Sequence, residues 1–136
     1  MIYPAELTSL HPIIAAISQA ARSASFSKQA LHDIQLASEE AVVNIINHAY
    51  STSSPNNQID VVCTSERPKQ LKITIIDKGK PFNPLIEGPE YNPNLPLQER
   101  QLGGIGLLLI RKLMTRLTYL YKKRENIFTM EKEEAQ

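Results

Sequence analysis

The 136-residue sequence predicts an α+β two-layer sandwich, with helices on one face of a largely antiparallel sheet. Three observations lead to this prediction. Two segments with helical apolar periodicity come first, and two pairs of β-rich segments follow, each pair joined by a short polar connection. A third helical segment, preceded by glycines, separates the two pairs. The predicted order is therefore two helices, two strands, a long loop, one helix and two strands.

The first two predicted helices are separated by a short serine-containing break. Residues 11–24, HPIIAAISQAARSA, place apolar side chains at helical spacing after a proline suited to a first turn. Ser27 is the predicted N-cap of the second helix, because its hydroxyl can accept from a first-turn amide. The segment from 28 to about 50 contains no glycine or proline, which permits one long helix that ends at STSSPNNQ.

The predicted strands form two hairpins. Residues 58–64 (QIDVVCT) and 71–76 (LKITII) are β-rich and are joined by SERPKQ. The segment from 107 to about 117 predicts a third helix that begins directly after the glycines. TYLYKK and IFTME, separated by REN, predict a closing hairpin.

Composition narrows the class of protein. With 42% apolar and 21% charged residues, the chain is expected to form a single domain over residues 1–136. The net charge of +1 argues against nucleic acid as a partner. No segment approaches the roughly 18 apolar residues of a membrane span, and the start lacks a signal-peptide pattern, so a cytoplasmic protein is expected. Cys63 is the only cysteine, which excludes an internal disulfide and predicts a buried strand residue.

A polar stripe on the second helix is the first candidate site. Its members fall within about one third of the helix circumference: Asp33, Glu40, Asn44, Asn47 and His48. Glu40 and Asn44 are one turn apart, so a carboxylate and an amide oxygen can address the same ligand. An amide oxygen suits Mg²⁺, although a solvated helix face and a helix-end role for His48 explain the same pattern without a ligand.

The second candidate site is the segment 76–84, IDKGKPFNP. Asp77 at the end of an apolar strand can accept a hydrogen bond from an exocyclic amine. Gly79 has no Cβ and would let a flat ring approach the backbone. A simple turn is the alternative, since Asp and Gly are common turn residues.

The third candidate site is the glycine run that precedes the third helix. In GGIGLLLI, residues 103–110, the glycines Gly103, Gly104 and Gly106 lead into the helix, whose N-terminal amides form an anion site. The spacing differs from both GxGxxG and GxxxxGK[ST]. Arg100 lies just before the run and is either a contact for a terminal phosphate or a solvated loop residue.

Together, EEAVVNIINHAY, IIDKGKPFNP and LGGIGLLLIRKLM resemble the N, G1 and G2 boxes of the GHKL ATP-binding superfamily. The closest resemblance is to the bacterial anti-sigma-factor serine kinases, over about residues 11–132. It implies a Bergerat-type ATP site under a lid formed by about residues 80–102.

The resemblance implies a role for each matching residue. Asn44 would hold Mg²⁺ and Glu40 would be the catalytic carboxylate. Asp77 would bind the adenine amine, with Gly79 letting adenine approach, and the glycines of the third segment would contact phosphates.

Two parts of the chain depart from the family pattern. Family members often carry Gly-Thr or Gly-Asn in the final hairpin near the adenine, whereas RENIFTMEK keeps Asn126 without the glycine. Thr129 is the residue we assign to the adenine side. The strand that precedes the first helix in the family is reduced here to MIYPAEL.

The implied function is that of a serine kinase and anti-sigma factor. It would phosphorylate an anti-anti-sigma (STAS-type) protein, bind a sigma factor in a mutually exclusive complex, and act in the family's common form as a homodimer. A non-catalytic ATP-binding partner-switching module is the main alternative. A histidine-kinase catalytic fragment and a plain helix-on-sheet interaction protein are the other two.

Overall fold

The computed structural model describes residues 1–50, 52, 54–81 and 102–136. A short 3₁₀ turn over Leu7–Ser9 precedes the first helix. The helices are α1 (Leu10–Ser23), α2 (Lys28–His48) and α3 (Leu102–Leu113). The strands are β1 (Ile2–Pro4), β2 (Gln58–Thr64), β3 (Gln70–Asp77), β4 (Arg116–Lys122) and β5 (Glu125–Glu133).

The strands form one antiparallel sheet in the order β1-β2-β3-β5-β4. The three helices pack on one face of this sheet, which confirms the predicted α+β two-layer sandwich. β1 is short and pairs with β2, opposing Ile2 to Asp60 and Pro4 to Gln58. It is a fifth strand beyond the two predicted hairpins.

The buried faces of strand and helix meet in one core. Ile59 and Val61 of β2, Ile73 and Ile75 of β3, and Met130 of β5 are almost completely buried. They pack against the apolar side of α1 and α2. Cys63 lies in β2 on the same face, as a strand residue, but it is half-buried where the sequence predicts full burial, and this burial raises the pKa of its thiol.

The start of α2 was predicted correctly, and the cap geometry explains why. The Ser27 hydroxyl accepts a hydrogen bond from the Ala30 amide at 3.1 Å, as an N-cap does. The Ser27 amide also donates to Glu134 at 2.9 Å, which ties the start of α2 to the end of β5.

The predicted limits of the third helix were wrong at both ends. α3 begins at Leu102 and ends at Leu113, so the glycines lie inside its first turns and not before it. Each glycine in a helix costs about 1 kcal/mol relative to alanine. Packing of α3 against α2 overrides this local preference. At the other end, residues from Arg116 onward pair with β5 as part of β4.

Among the helices described here, none combines the length and the apolar composition that a bilayer crossing requires.

Candidate functional site

Asp77 is the buried carboxylate at the end of β3. It is 6% exposed and faces the helix layer. Its Oδ1 accepts two hydrogen bonds, from the Gly79 amide at 2.9 Å and from Asn126 Nδ2 at 2.9 Å. Within the described residues, Oδ2 accepts none. The carboxylate therefore has one oxygen held by the protein and one oxygen available to a ligand.

The electrostatics of Asp77 are set mainly by its burial. Burial raises the pKa of this carboxyl above its ordinary value, and the hydrogen bonds from Asn126 and Gly79 lower the pKa in part. An ionised carboxylate in such a site is a strong acceptor for an amino group, because few water molecules compete for it.

Gly79 is required by its contact with the end of α2. A Cβ on Gly79 would lie 2.0 Å from the carbonyl oxygen of Ala49, closer than any real side chain approaches. The Lys80 amide also donates to this carbonyl at 3.2 Å. Making room for adenine is therefore only part of the role expected for Gly79. Its missing side chain also leaves space for the Ala49 carbonyl of the protein itself.

A Gly79→Ala variant is expected to be less stable than the wild-type chain by about 1–3 kcal/mol, because either the end of α2 or the turn after β3 must move. The measurement is urea unfolding at equilibrium. Lys78→Ala is the matched control, because Lys78 is exposed and precedes Gly79 directly. Equal stability of the Gly79→Ala and Lys78→Ala variants would contradict the packing role.

The assignment of Thr129 to the adenine side needs correction. Successive side chains of a strand point to opposite faces, and Asn126, three residues before Thr129, lies on the helix-facing side beside Asp77. Thr129 lies on the other face, where its hydroxyl is 3.3 Å from that of Thr74. Asn126 replaces it as the residue of the final hairpin that contacts Asp77.

The polar stripe of α2 is present and is graded in exposure. Glu40 and Asn44 are half-buried, whereas Glu39, Asn47 and His48 are exposed. The side chains of Glu40 and Asn44 form no hydrogen bond with any described residue. Because these two side chains are one turn apart on the same side of the helix, their oxygen atoms are free to act on one ligand.

Lys132 of β5 contacts both α2 and α3, and this contact shows which ends of the two helices lie together. Its ammonium group donates to Asp33 at 3.3 Å and to the carbonyl oxygen of Leu113. α2 runs from this contact toward Gly79, where it ends. α3 packs against α2, and its last turn lies at this contact near the start of α2, from which we infer that the two helices run in opposite directions.

With the helices in opposite directions, we expect the polar stripe of α2 to lie beside the glycines of α3. Glu40 lies about two turns beyond Asp33, and Asn44 about three turns beyond it. Gly106 lies about two turns back from Leu113, and Gly103 almost three turns back. By this count we expect the first turn of α3, which carries the positive end of the helix dipole, at about the height of Glu40 and Asn44.

On the α2 stripe, the ligands offered to a metal ion are the amide oxygen of Asn44 and the carboxylate of Glu40. The described residues contain no group of three or more His, Cys, Asp or Glu side chains that could hold an ion. Mg²⁺ commonly takes one or two protein ligands and completes its shell with water and phosphate oxygens, so Asn44 fits this ion when nucleotide is bound. His48 has no partner for metal ligation among the described residues.

Arg100 and most of the predicted lid lie outside the described residues. Of the other candidate residues, the structure brings Asp77 and Gly79 together, and it places Glu40 and Asn44 one turn apart on α2, the helix against which the glycine-containing α3 packs. Sequence reasoning missed that Asn126 contacts Asp77. The register of β3 and β5 identifies this contact, because Asp77 is directly opposite Asn126.

Comparisons with known proteins agree with this architecture. A family model described as "Histidine kinase-like ATPase domain" matches residues 3–132. The chain therefore belongs to the histidine kinase-like ATPase domain family, the class that its three motif segments resemble.

Two relatives carry the name Serine-protein kinase RsbW. The chain is 32% identical to the protein of Oceanobacillus iheyensis over 104 residues, which cover 72% of this chain and 63% of that protein. It is 35% identical to the protein of Staphylococcus epidermidis over 97 residues, which cover 68% of this chain and 59% of that protein. The chain thus spans about three fifths of the length of these relatives.

A solved structure shares the fold at low sequence identity. It is the histidine kinase domain of a blue-light activated histidine kinase from Erythrobacter litoralis, with a TM-score of 0.54 and 16% identity. The match covers 91% of this chain and 60% of that one.

Proposed function

We propose that this chain is an ATP-dependent serine protein kinase and anti-sigma factor of the cytoplasm. It phosphorylates a serine of an anti-anti-sigma protein, and it binds a sigma factor in a mutually exclusive complex. The observation that supports the proposal is the half-buried pair of Glu40 and Asn44, one turn apart on α2, the helix against which α3 packs. The names of the two relatives support the choice of serine as the acceptor.

Each candidate residue has a role in this proposal. Asp77 accepts the 6-amino group of adenine through Oδ2, because Oδ1 is already occupied. Gly103 and Gly104 offer main-chain amides to the phosphates at the helix N-terminus, and Gly106, in the next turn, lets the phosphates approach because it has no side chain. Arg100 precedes them in sequence and is proposed to contact the terminal phosphate.

Glu40 is the residue proposed to act on the acceptor. Its carboxylate orients the incoming serine hydroxyl and accepts its proton. Asn44 would hold Mg²⁺, which when bound supplies charge neutralisation of the triphosphate. Most of the catalysis is then positioning and electrostatic stabilisation.

The first test is binding of Mg-ATP, measured by the shift in thermal unfolding. A ligand at a hundredfold its dissociation constant stabilises the native state by about 2.7 kcal/mol, so a clear rise in melting temperature is expected. Mg-GTP serves as the matched control, because its base presents an oxygen where adenine presents the amino group. An unchanged melting temperature with Mg-ATP would support a plain interaction protein instead.

Kinase activity is tested by incubation with radiolabelled ATP and a purified anti-anti-sigma protein. Transfer of label to a serine of that protein is the expected result. ATP binding without transfer favours the second candidate, a non-catalytic partner-switching module. The half-buried, unbonded carboxylate of Glu40 beside Asn44 favours the kinase, since a module that only binds nucleotide has no chemical need for it.

A further inference from the structure

The Asn126 side chain forms several hydrogen bonds around Asp77, in addition to the main-chain pairing of β5 with β3. Its side chain is 5% exposed. Besides Asp77, its amide nitrogen donates to the carbonyl oxygens of Lys80 at 2.9 Å and of Gly79 at 3.3 Å. Its amide oxygen accepts the hydroxyl of Tyr119.

These contacts determine which way the amide faces. Asp77, Gly79 and Lys80 all present acceptor oxygens, so the nitrogen must point toward them. The amide oxygen then faces β4, where the Tyr119 hydroxyl donates to it. Because the network has one consistent direction, Asn126 is a donor to Asp77 whenever the carboxylate is ionised.

We propose that Asn126 is a positioning residue for nucleotide recognition, which orients the Asp77 carboxylate with Oδ2 toward the base and ties it to the main chain at Gly79 and Lys80. The proposal rests on the proposed function, since it assigns adenine to Asp77. Asn126 itself does not need to touch the nucleotide. Its effect is on the direction and the charge of the carboxylate that does.

The chemistry of Asp77 makes this positioning consequential. Burial raises the pKa of Asp77, and the hydrogen bond from Asn126 opposes that rise. Without Asn126, the carboxyl binds a proton at higher pH, and of its two hydrogen bonds only the one from the Gly79 amide still orients it. A proton on Oδ2 turns the acceptor into a donor, which cannot pair with an amino group.

Among the described residues, no titratable side chain near Asp77 provides another explanation for the pKa of its carboxyl. None of them forms an ion pair or a hydrogen bond with Asp77. The Tyr50 hydroxyl donates to the Gln58 carbonyl oxygen and accepts a hydrogen bond from the Lys78 amide. The titratable side chains nearby in sequence or register are Lys78 and Lys80 after β3, Tyr119 and Glu125 on the final hairpin, and Tyr50 after α2.

The test compares Asn126→Leu with Thr129→Val in the full chain. Both substitutions remove polar atoms from β5, but Thr129 lies on the opposite face. Two quantities are measured: the pH titration of the Asp77 carboxyl carbon by NMR without nucleotide, and the dissociation constant for Mg-ATP between about pH 5 and pH 8.

In Asn126→Leu, the titration midpoint of Asp77 is expected to move to higher pH. ATP is expected to bind roughly tenfold more weakly or worse at neutral pH, with a larger loss as the pH falls. Thr129→Val is expected to match the wild-type chain in both measurements. Tyr119→Phe is expected to shift both quantities in the same direction as Asn126→Leu by a smaller amount, and it decides the question if Asn126→Leu does not fold.

A folded Asn126→Leu variant with the wild-type Asp77 titration and ATP affinity would overturn the inference. If that variant does not fold, wild-type values in Tyr119→Phe would overturn it. Failure of the wild-type chain to bind ATP would overturn the proposed function and the nucleotide role of Asn126 together. An unmoved Asp77 titration, with ATP binding intact in the wild-type chain, would overturn the positioning role alone.

Discussion

An Asp77→Asn variant should fold as the wild-type chain does and bind ATP about a hundredfold more weakly or worse. Asn can still accept from Gly79 and Asn126 through its amide oxygen, so the internal hydrogen bonds survive. The group that replaces Oδ2 is an NH₂, which donates. It would face the amino group of adenine donor to donor, and such a mismatch is costlier than a lost contact.

The stability of Asp77→Asn follows from the raised pKa of the wild-type carboxyl. A carboxyl whose pKa is higher in the folded state contributes stability that is complete below its unfolded pKa and is lost as the pH rises through its folded pKa. At neutral pH the wild-type chain therefore carries the cost of a buried charge, which the variant does not. We expect the melting temperature of Asp77→Asn at neutral pH to equal or exceed that of the wild type.

Calorimetric titration with Mg-ATP measures the affinity, and thermal unfolding measures the stability. Asp60→Asn is the matched control, because Asp60 lies on the opposite face of the sheet near the chain's amino terminus, with Oδ1 3.2 Å from the Met1 nitrogen. A folded Asp77→Asn variant with wild-type ATP affinity would contradict the assignment of adenine to Asp77.

A Glu40→Gln variant should lose about 10²- to 10⁴-fold in phosphoryl transfer while keeping its affinity for ATP. Gln has nearly the same shape as Glu and cannot accept the proton of the serine hydroxyl. The Glu40 side chain forms no hydrogen bond with any described residue, so the substitution removes none among them. The loss should therefore fall on turnover.

Single-turnover transfer of label to an anti-anti-sigma protein measures this loss. Glu39→Gln is the control, since Glu39 is adjacent in sequence, carries the same charge and is exposed on another side of the helix. Equal transfer rates in the Glu40→Gln and Glu39→Gln variants would refute the catalytic role of Glu40. A decrease that is equal in both variants would indicate a general effect of charge.

The parts of the fold that the sequence predicts well are those governed by local chemistry. The limits of β2 match the prediction because alternating β-rich residues end in turn formers on both sides. The start of α2 matches because Ser27 has a side chain that caps a helix. Both signals are contained within a few neighbouring residues.

The predictions that failed depended on contacts between distant residues. The glycines of α3 disfavour a helix locally, and only packing against α2 explains why the helix includes them. Thr129 was assigned to the wrong face, because the face of a strand residue depends on the register of its neighbours. Lys132 and Asp33 are 99 positions apart, and no local pattern indicates that they meet.

For the same reason, the sequence predicted only part of the candidate site. Residue types and spacing on single elements identified Asp77, Glu40 and Asn44, and resemblance to a family assigned their roles. What relates these residues in space is the packing of α3 against α2, together with the contact of Gly79 with Ala49. Those relations belong to the assembled fold.

The central claim is that adenine binds at Asp77 while its phosphates lie at the start of α3. The most direct measurement is a crystal structure of the chain with Mg²⁺ and a non-hydrolysable ATP analogue. The account predicts the 6-amino nitrogen within hydrogen-bonding distance of Asp77 Oδ2, and phosphate oxygens against the amides of Gly103 and Gly104. An analogue bound elsewhere on the chain, or one whose base leaves Asp77 Oδ2 without a partner, would contradict it.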